Sequence, residues 1–361
     1  MGLHGRGVEV DVGQAILPVQ DSHDWLSSTR ESMSTLFEEL SRVKTYDYTA
    51  EDVRAFELLH EEIRALKKER NAVIVAHNYY RPEILKVADF VGDSLELALM
   101  ASKVKDADVI EFCGVHFMAE TAKIVNPSRT VLLPNLLAGC QLADSAPAED
   151  LKARIGELKK QYEDLAVVSY VNTTAAVKAL SDIIVTSANA GSVVRSLPNK
   201  NILFVPDRNL ARHVAEQVPE KNIIPWEGFC YVHQQITPEE IQRIRDSDPE
   251  LEILVHPECR GDVAALANAV LSTSGMVRYA KERPAKRFLV VTECGLSDRL
   301  AMEVPEKTFL KGCKLCTFMK VTTLEDVRDS LRDLKYEIEV PEEIRVPADR
   351  ALRRMFELTE G

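Results

Sequence analysis

One pattern constrains this chain more than any other: a short apolar run rich in β-branched residues, a polar cluster at its end, then a helical stretch. Runs at 73–76, 109–112 and 131–133 form a first trio. A second lies at 166–168, 183–185 and 202–205, and a third at 253–255, 269–271 and 288–291. Runs that are apolar throughout, instead of alternating, suit strands covered on both faces. Strands that alternate with helices build βαβ units around a parallel sheet. The expected fold is α/β: three similar three-layer α/β/α domains with short parallel sheets, pseudo-threefold around a central site. The boundaries read as an N-terminal extension at 1–50, domains at 51–145, 146–240 and 241–320, and a C-terminal helical segment at 321–361. The extension holds a mixed stretch from Trp25 to Val43 and no expected chemistry. Just after it, Val53, Phe56, Leu59, Ile63 and Leu66 recur at spacings of three and four, which predicts an amphipathic helix over 51–70.

In parallel α/β units, ligands collect beyond the carboxyl ends of the strands, which is where the polar clusters lie. Composition narrows what those ligands are. With 45 basic against 57 acidic residues the net charge is −12, and the signs are interspersed, so a nucleic-acid partner is not expected. No apolar run approaches the roughly 18 residues of a membrane span, and Met-Gly-Leu-His-Gly-Arg opens no signal peptide. A cytoplasmic protein without a membrane partner is expected.

Seven cysteines, an odd and scattered set, read as reduced thiols or metal ligands better than as a disulfide framework. Cys140, Cys230 and Cys316 each follow one trio, at intervals of about 90 residues. One thiolate from each of three equivalent units would suit zinc, copper(I) or an iron–sulfur cluster. Structural zinc usually takes a fourth protein ligand, commonly from a second C-x-x-C, so the balance tips toward iron–sulfur. Cys113, Cys259 and Cys294 are read as small buried hydrophobes. Cys313-x-x-Cys316 has the spacing of a reversible redox pair, whose closure would remove one ligand.

Other clusters carry groups for anion binding and proton transfer. Ser94, Ser187 and the Ser272-Thr273 pair stand just ahead of helical patterns, where free N–H groups favour anions, although a lone Ser or Thr there is usually an N-cap. His77 with Tyr79, Tyr170 with Asn172, His233, and His256 with Glu258 are acid–base candidates.

The motifs that contain these residues resemble those of quinolinate synthases, the iron–sulfur enzymes of de novo NAD biosynthesis. They run in order from about residue 50 to about 335: Ala-His77-Asn-Tyr79, Gly-Asp-Ser94-Leu-Glu-Leu-Ala, Cys113-Gly-Val-His-Phe-Met118, Ala-Gly-Cys140-Gln-Leu-Ala-Asp, Tyr170-Val-Asn172-Thr, Thr-Ser187-Ala-Asn-Ala, Trp-Glu-Gly-Phe-Cys230-Tyr-Val-His233, His256-Pro-Glu258-Cys and Cys316-Thr-Phe-Met-Lys. The resemblance implies a 4Fe–4S cluster on Cys140, Cys230 and Cys316, and condensation of iminoaspartate with dihydroxyacetone phosphate to quinolinate, phosphate and water. It further implies that Ser94 and Ser187 hold phosphate or carboxylate oxygens and that His77, Tyr170 and Asn172 orient the carbon skeleton. Ser272 and Thr273 would contact a carboxylate. Glu258 would move protons with His256 and Tyr79, and L-aspartate oxidase would be a transient partner. Two positions depart from the family pattern: Leu271 replaces a glycine common before the Ser-Thr pair, and Cys294 replaces an apolar residue. Competing readings are an iron–sulfur hydro-lyase and a non-catalytic redox sensor.

Overall fold

The computed structural model describes residues 32–104 and 106–360. Residues 1–31 of the expected extension, including the Trp25 end of its mixed stretch, lie outside them. The rest of that extension packs onto the body. Helix Ser32–Leu40 places Leu36 and Leu40 in the core, and the Tyr48 hydroxyl donates to Glu83 Oε2 at 2.5 Å.

The expected helix over 51–70 is Ala50–Glu69, begun by a capping box in which the Thr49 side chain and Asp52 satisfy each other's backbone N–H groups. Its inward face carries Val53, Leu59, His60 and Ile63.

Three sheets follow, all parallel. The first contains β1 (Ala72–His77), β2 (Phe90–Gly92), β3 (Val109–Cys113) and β4 (Thr130–Leu132). The second contains β5 (Ala166–Tyr170), β6 (Ile183–Val185), β7 (Asn201–Val205) and β8 (Asn222–Pro225). The third contains β9 (Glu252–Val255), β10 (Ala269–Val270), β11 (Arg287–Val291) and β12 (Thr308–Lys311). Each sheet has the same order, second strand, first, third, fourth. The sequence pattern finds nine of these strands and misses β2, β8 and β12, all at sheet edges. An edge strand needs fewer apolar faces: β2 is three residues long and ends in glycine, while β8 is largely uncovered and ends in Pro225.

One latch recurs in all three units. Near the start of the first strand a backbone N–H is held by an Asx side chain 15 residues later: Ile74 by Asp89 at 2.8 Å, Val167 by Asp182 at 2.7 Å and Ile253 by Asn268 at 2.8 Å. The same Asx residue returns its own N–H to that strand residue's carbonyl. The crossover loop is thereby pinned beside the strand it leaves, which fixes the register of the short second strand.

Two C-terminal helices pack on the sheets and the helices that cover them. Helix Leu324–Asp333 lies against helix Ala50–Glu69 and β3, where Ser330 donates to the buried Glu111. Helix Glu342–Glu360 covers helix Ala175–Ala179 and β6. Replacing Asp89, Asp182 or Asn268 by alanine is expected to cost about 1 kcal/mol each. Denaturant unfolding checks this, and a loss at one position alone would contradict equivalent latches.

Candidate active site

Parallel strands release the chain at one end of each sheet, and the loops from the three sheets close on one cavity. Of the residues singled out from sequence, His77, Tyr79, Ser94, Cys140, Tyr170, Asn172, Ser187, Cys230, His233, His256, Glu258, Thr273 and Cys316 line it. Ser272 does not: its hydroxyl caps helix Thr273–Glu282 through Gly275 N–H and donates to Asp93 Oδ2 at 3.0 Å. Ser272 thus holds the first and third units together behind Thr273, whose hydroxyl accepts from Asn78 Nδ2 at 2.7 Å.

Glu258 is the centre of the polar network. It follows β9, is buried, and accepts the Tyr170 hydroxyl on Oε1 at 2.7 Å, while Oε2 lies 3.1 Å from His233 Nδ1. Burial by itself would raise this carboxyl, but His233, His256 and the Tyr170 hydroxyl outweigh it and hold the group below its ordinary range. Burial pushes both His77 and His256 down to about 3, so these imidazoles are neutral at pH 7. Tyr79 is pushed up by burial and then by Glu258, and its hydroxyl pairs with Thr292 Oγ1 at 2.5 Å. At neutral pH the cavity therefore presents the Glu258 carboxylate beside the neutral imidazoles of His77 and His256 and the phenol of Tyr79. Among the described residues, no lysine or arginine lines it.

Asn172 Oδ1 is buried without a hydrogen-bond partner among the described residues. Such orphaned groups are costly unless a ligand satisfies them. His233, an acid–base candidate in the sequence, joins the network through Thr292 at 2.9 Å as well as Glu258.

Cys140, Cys230 and Cys316 occupy the same local position: each precedes a single helical turn, Gln141–Asp144, Tyr231–Gln234 and Thr317–Lys320. Backbone N–H groups of those turns draw the thiols down, but burial dominates. It lifts Cys140 to about 12 and raises Cys230 and Cys316; charge on Cys316 adds to the rise at Cys140, and charge on Glu258, Cys140 and Cys316 to that at Cys230. Three half-buried thiols lining one cavity would ionise together only beside a cation, and soft sulfur donors fit iron–sulfur coordination. Cys230, His233 and Glu258 form a second donor group, with ligand atoms within 4.8 Å of one another. There, however, both Glu258 oxygens already face Tyr170 and His233.

The remaining cysteines amend the sequence reading. Cys113 and Cys259 are buried thiols, as expected. Cys294 is not a bland core residue: it forms a disulfide with Cys313, their Cα atoms 5.1 Å apart, and Cys316 keeps a free thiol. Cys294 opens helix Cys294–Glu303, whose start packs beside the loop after β12, so Cys313 reaches it more readily than its sequence neighbour. Asp207 and Glu293, acids just past the runs at 202–205 and 288–291, carry no sequence signal that separates them from ordinary helix caps. Both are buried, and each caps the next helix, Arg208–Gln217 and Cys294–Glu303. Peptide mapping without reductant is expected to recover Cys294 joined to Cys313 and Cys316 alkylated; a Cys313–Cys316 cross-link would contradict this pairing.

Comparison with known proteins agrees with this geometry. The family model described as quinolinate synthetase A protein matches residues 61–357. A quinolinate synthase of Thermodesulfovibrio yellowstonii is 53% identical over 300 residues, covering 82% of this chain and 97% of the relative. One from Alkaliphilus metalliredigens is 49% identical over 300 residues, with 82% and 97% coverage. One from Geotalea uraniireducens is 47% identical over 300 residues, with the same 82% and 97%. With its body matched from end to end and its cavity built from the motif residues, the chain belongs to the quinolinate synthetase A family.

Proposed function

We propose that this chain makes quinolinate by condensing iminoaspartate with dihydroxyacetone phosphate, releasing phosphate and water, at a 4Fe–4S cluster held by Cys140, Cys230 and Cys316. In this reading 51–145, 146–240 and 241–320 are three domains around a pseudo-threefold axis. The enzyme works in the cytoplasm and receives unstable iminoaspartate by transient contact with L-aspartate oxidase. The supporting observation is that three cysteines, each opening a single helical turn after its unit's sheet, line the cavity that Glu258 commands. A 4Fe–4S cluster held by Cys140, Cys230 and Cys316 would supply a Lewis acid able to polarise a carbonyl or a departing hydroxyl.

The chain's own groups supply the rest. Both substrates are anionic and, among the described residues, the cavity wall carries no lysine or arginine, so Ser94, Ser187 and Thr273 hold phosphate and carboxylate oxygens through hydroxyl and backbone donors. Asn172 and His77 orient the carbon skeleton, Asn172 through its unpaired Oδ1. Glu258 takes the protons that successive tautomerisations release. Tyr170, already donating to Glu258 Oε1, holds that carboxylate in place and can pass its proton onward. His256 and Tyr79 sit beside it as neutral donors, and burial keeps both free of competing charge. The walls contributed by Val115, Phe117, Met118, Phe318 and Met319 exclude water from intermediates that would otherwise hydrolyse.

Anaerobic turnover with both substrates is expected to yield quinolinate. Glu258→Gln should lower turnover at least about a hundredfold while leaving bound iron unchanged. Full activity in that variant would remove Glu258 from the mechanism, and no quinolinate from the native chain would refute the proposed reaction.

A further inference from the structure

In every unit, the first residue of the helix after the third strand donates its N–H to a carbonyl two residues before the cavity cysteine. His116 reaches Ala138 at 2.8 Å, Arg208 reaches Gly228 at 2.9 Å, and Cys294 reaches Lys314 at 3.3 Å. That bond brings each cysteine loop back across the sheet end. Two of the units add a second tie. Asp207 uses Oδ1 to cap its helix at Leu210 N–H (2.7 Å) and Oδ2 to accept the N–H of Cys230 itself (3.2 Å). Glu293 uses Oε2 to cap at Gly295 N–H (2.7 Å) and Oε1 to accept the N–H of Cys316 (3.1 Å). In the first unit the equivalent cap is Val115, which has no side-chain acceptor, and Cys140 has no such tie.

Capping alone does not explain these residues. Glutamate is not among the favoured N-cap residues, and a buried carboxyl carries a desolvation cost that serine or asparagine would avoid. What both carboxyls offer is two oxygens pointing opposite ways, one to the helix and one to the cysteine. Glu293 is braced further: Lys320, four residues after Cys316, lies 3.2 Å from its Oε2 and also donates to the Tyr79 carbonyl. Gly295 makes room for that contact, since a Cβ there would sit 2.5 Å from the Tyr79 carbonyl oxygen.

We infer that Asp207 and Glu293 are positioning residues which fix the backbone of Cys230 and Cys316 and so aim their sulfurs into the cavity, with Lys320 coupling the Cys316 loop to Tyr79. This rests on the proposed three-cysteine site, but the geometry can be tested without it. In the full-length, metal-free chain, alkylation of each cysteine by iodoacetamide is followed by mass spectrometry, with thermal unfolding as the check on folding. Glu293→Asp keeps the charge and the cap but falls one methylene short of Cys316. It should speed modification of Cys316 roughly tenfold, as expected for loss of one charge-assisted hydrogen bond, and leave Cys140 and Cys230 unchanged. Asp207→Asn, whose amide offers a single acceptor, should speed Cys230 alone. A further variant, Glu293→Gln, separates charge from reach: acceleration by Gln without acceleration by Asp would overturn positioning in favour of charge. Unchanged rates, or a common rise at all three cysteines, would also overturn it. The iron content of the native chain bears on the proposed function, so the two readings fail separately.

Discussion

Helical crossovers between parallel strands deliver every strand's carboxyl end to the same side of its sheet, and everything at the cavity follows from that constraint. Because β1, β5 and β9 each stand at an inner position of a four-stranded sheet, the loops after them are flanked by neighbours on both sides. Those strand ends and the loops after them carry His77 and Tyr79, Tyr170 and Asn172, and His256 and Glu258. The outer fourth strands deliver the cysteines. Each sheet thus provides an inner polar pair or trio and an outer thiol, and the Asx latches hold the crossovers that make the pattern repeat.

Charge at the site follows from burial. Cavity-lining Asp93 and Glu293, with Asp207 behind them, are carboxyls that burial pushes upward, whereas Glu258 alone is surrounded closely enough by hydrogen-bond donors to stay below its ordinary range. A carboxylate kept ionised by the donors around it is available to accept a proton at neutral pH, beside the neutral imidazoles of His77 and His256. The protein's overall charge of −12 is no obstacle, because the donors that meet an anion here are hydroxyls, backbone N–H groups and imidazoles.

Much of this was legible in the sequence because the strands at the sheet centres are covered on both faces and read as continuous apolar runs. The edge strands β2, β8 and β12 were not, since an edge tolerates Gly92, Pro225 or Lys311 without losing its place. Spacing alone grouped Cys140, Cys230 and Cys316, because one cysteine per repeat is a strong regularity. It misplaced Cys294 and Cys313, whose partnership depends on a helix start lying beside a loop 19 residues on. Ser272 shows the same limit: an N-cap and a substrate ligand have the same sequence signature, and only the direction of its hydroxyl, toward Asp93, tells them apart. Asp207 and Glu293 were hidden for a similar reason, since an acid before a helix looks like an ordinary cap until its second oxygen finds a cysteine.

The account turns on Cys140, Cys230 and Cys316 acting together on one inorganic centre. Its most direct measurement is an anaerobic iron and sulfide determination with Mössbauer spectra, on the native chain and on single serine replacements of each cysteine. The account predicts about four irons and as many sulfides per chain, lost on replacing any of these three and retained on replacing Cys113, Cys259 or Cys313. One zinc without sulfide, or a cluster that survives replacement of Cys140, Cys230 or Cys316, would contradict it.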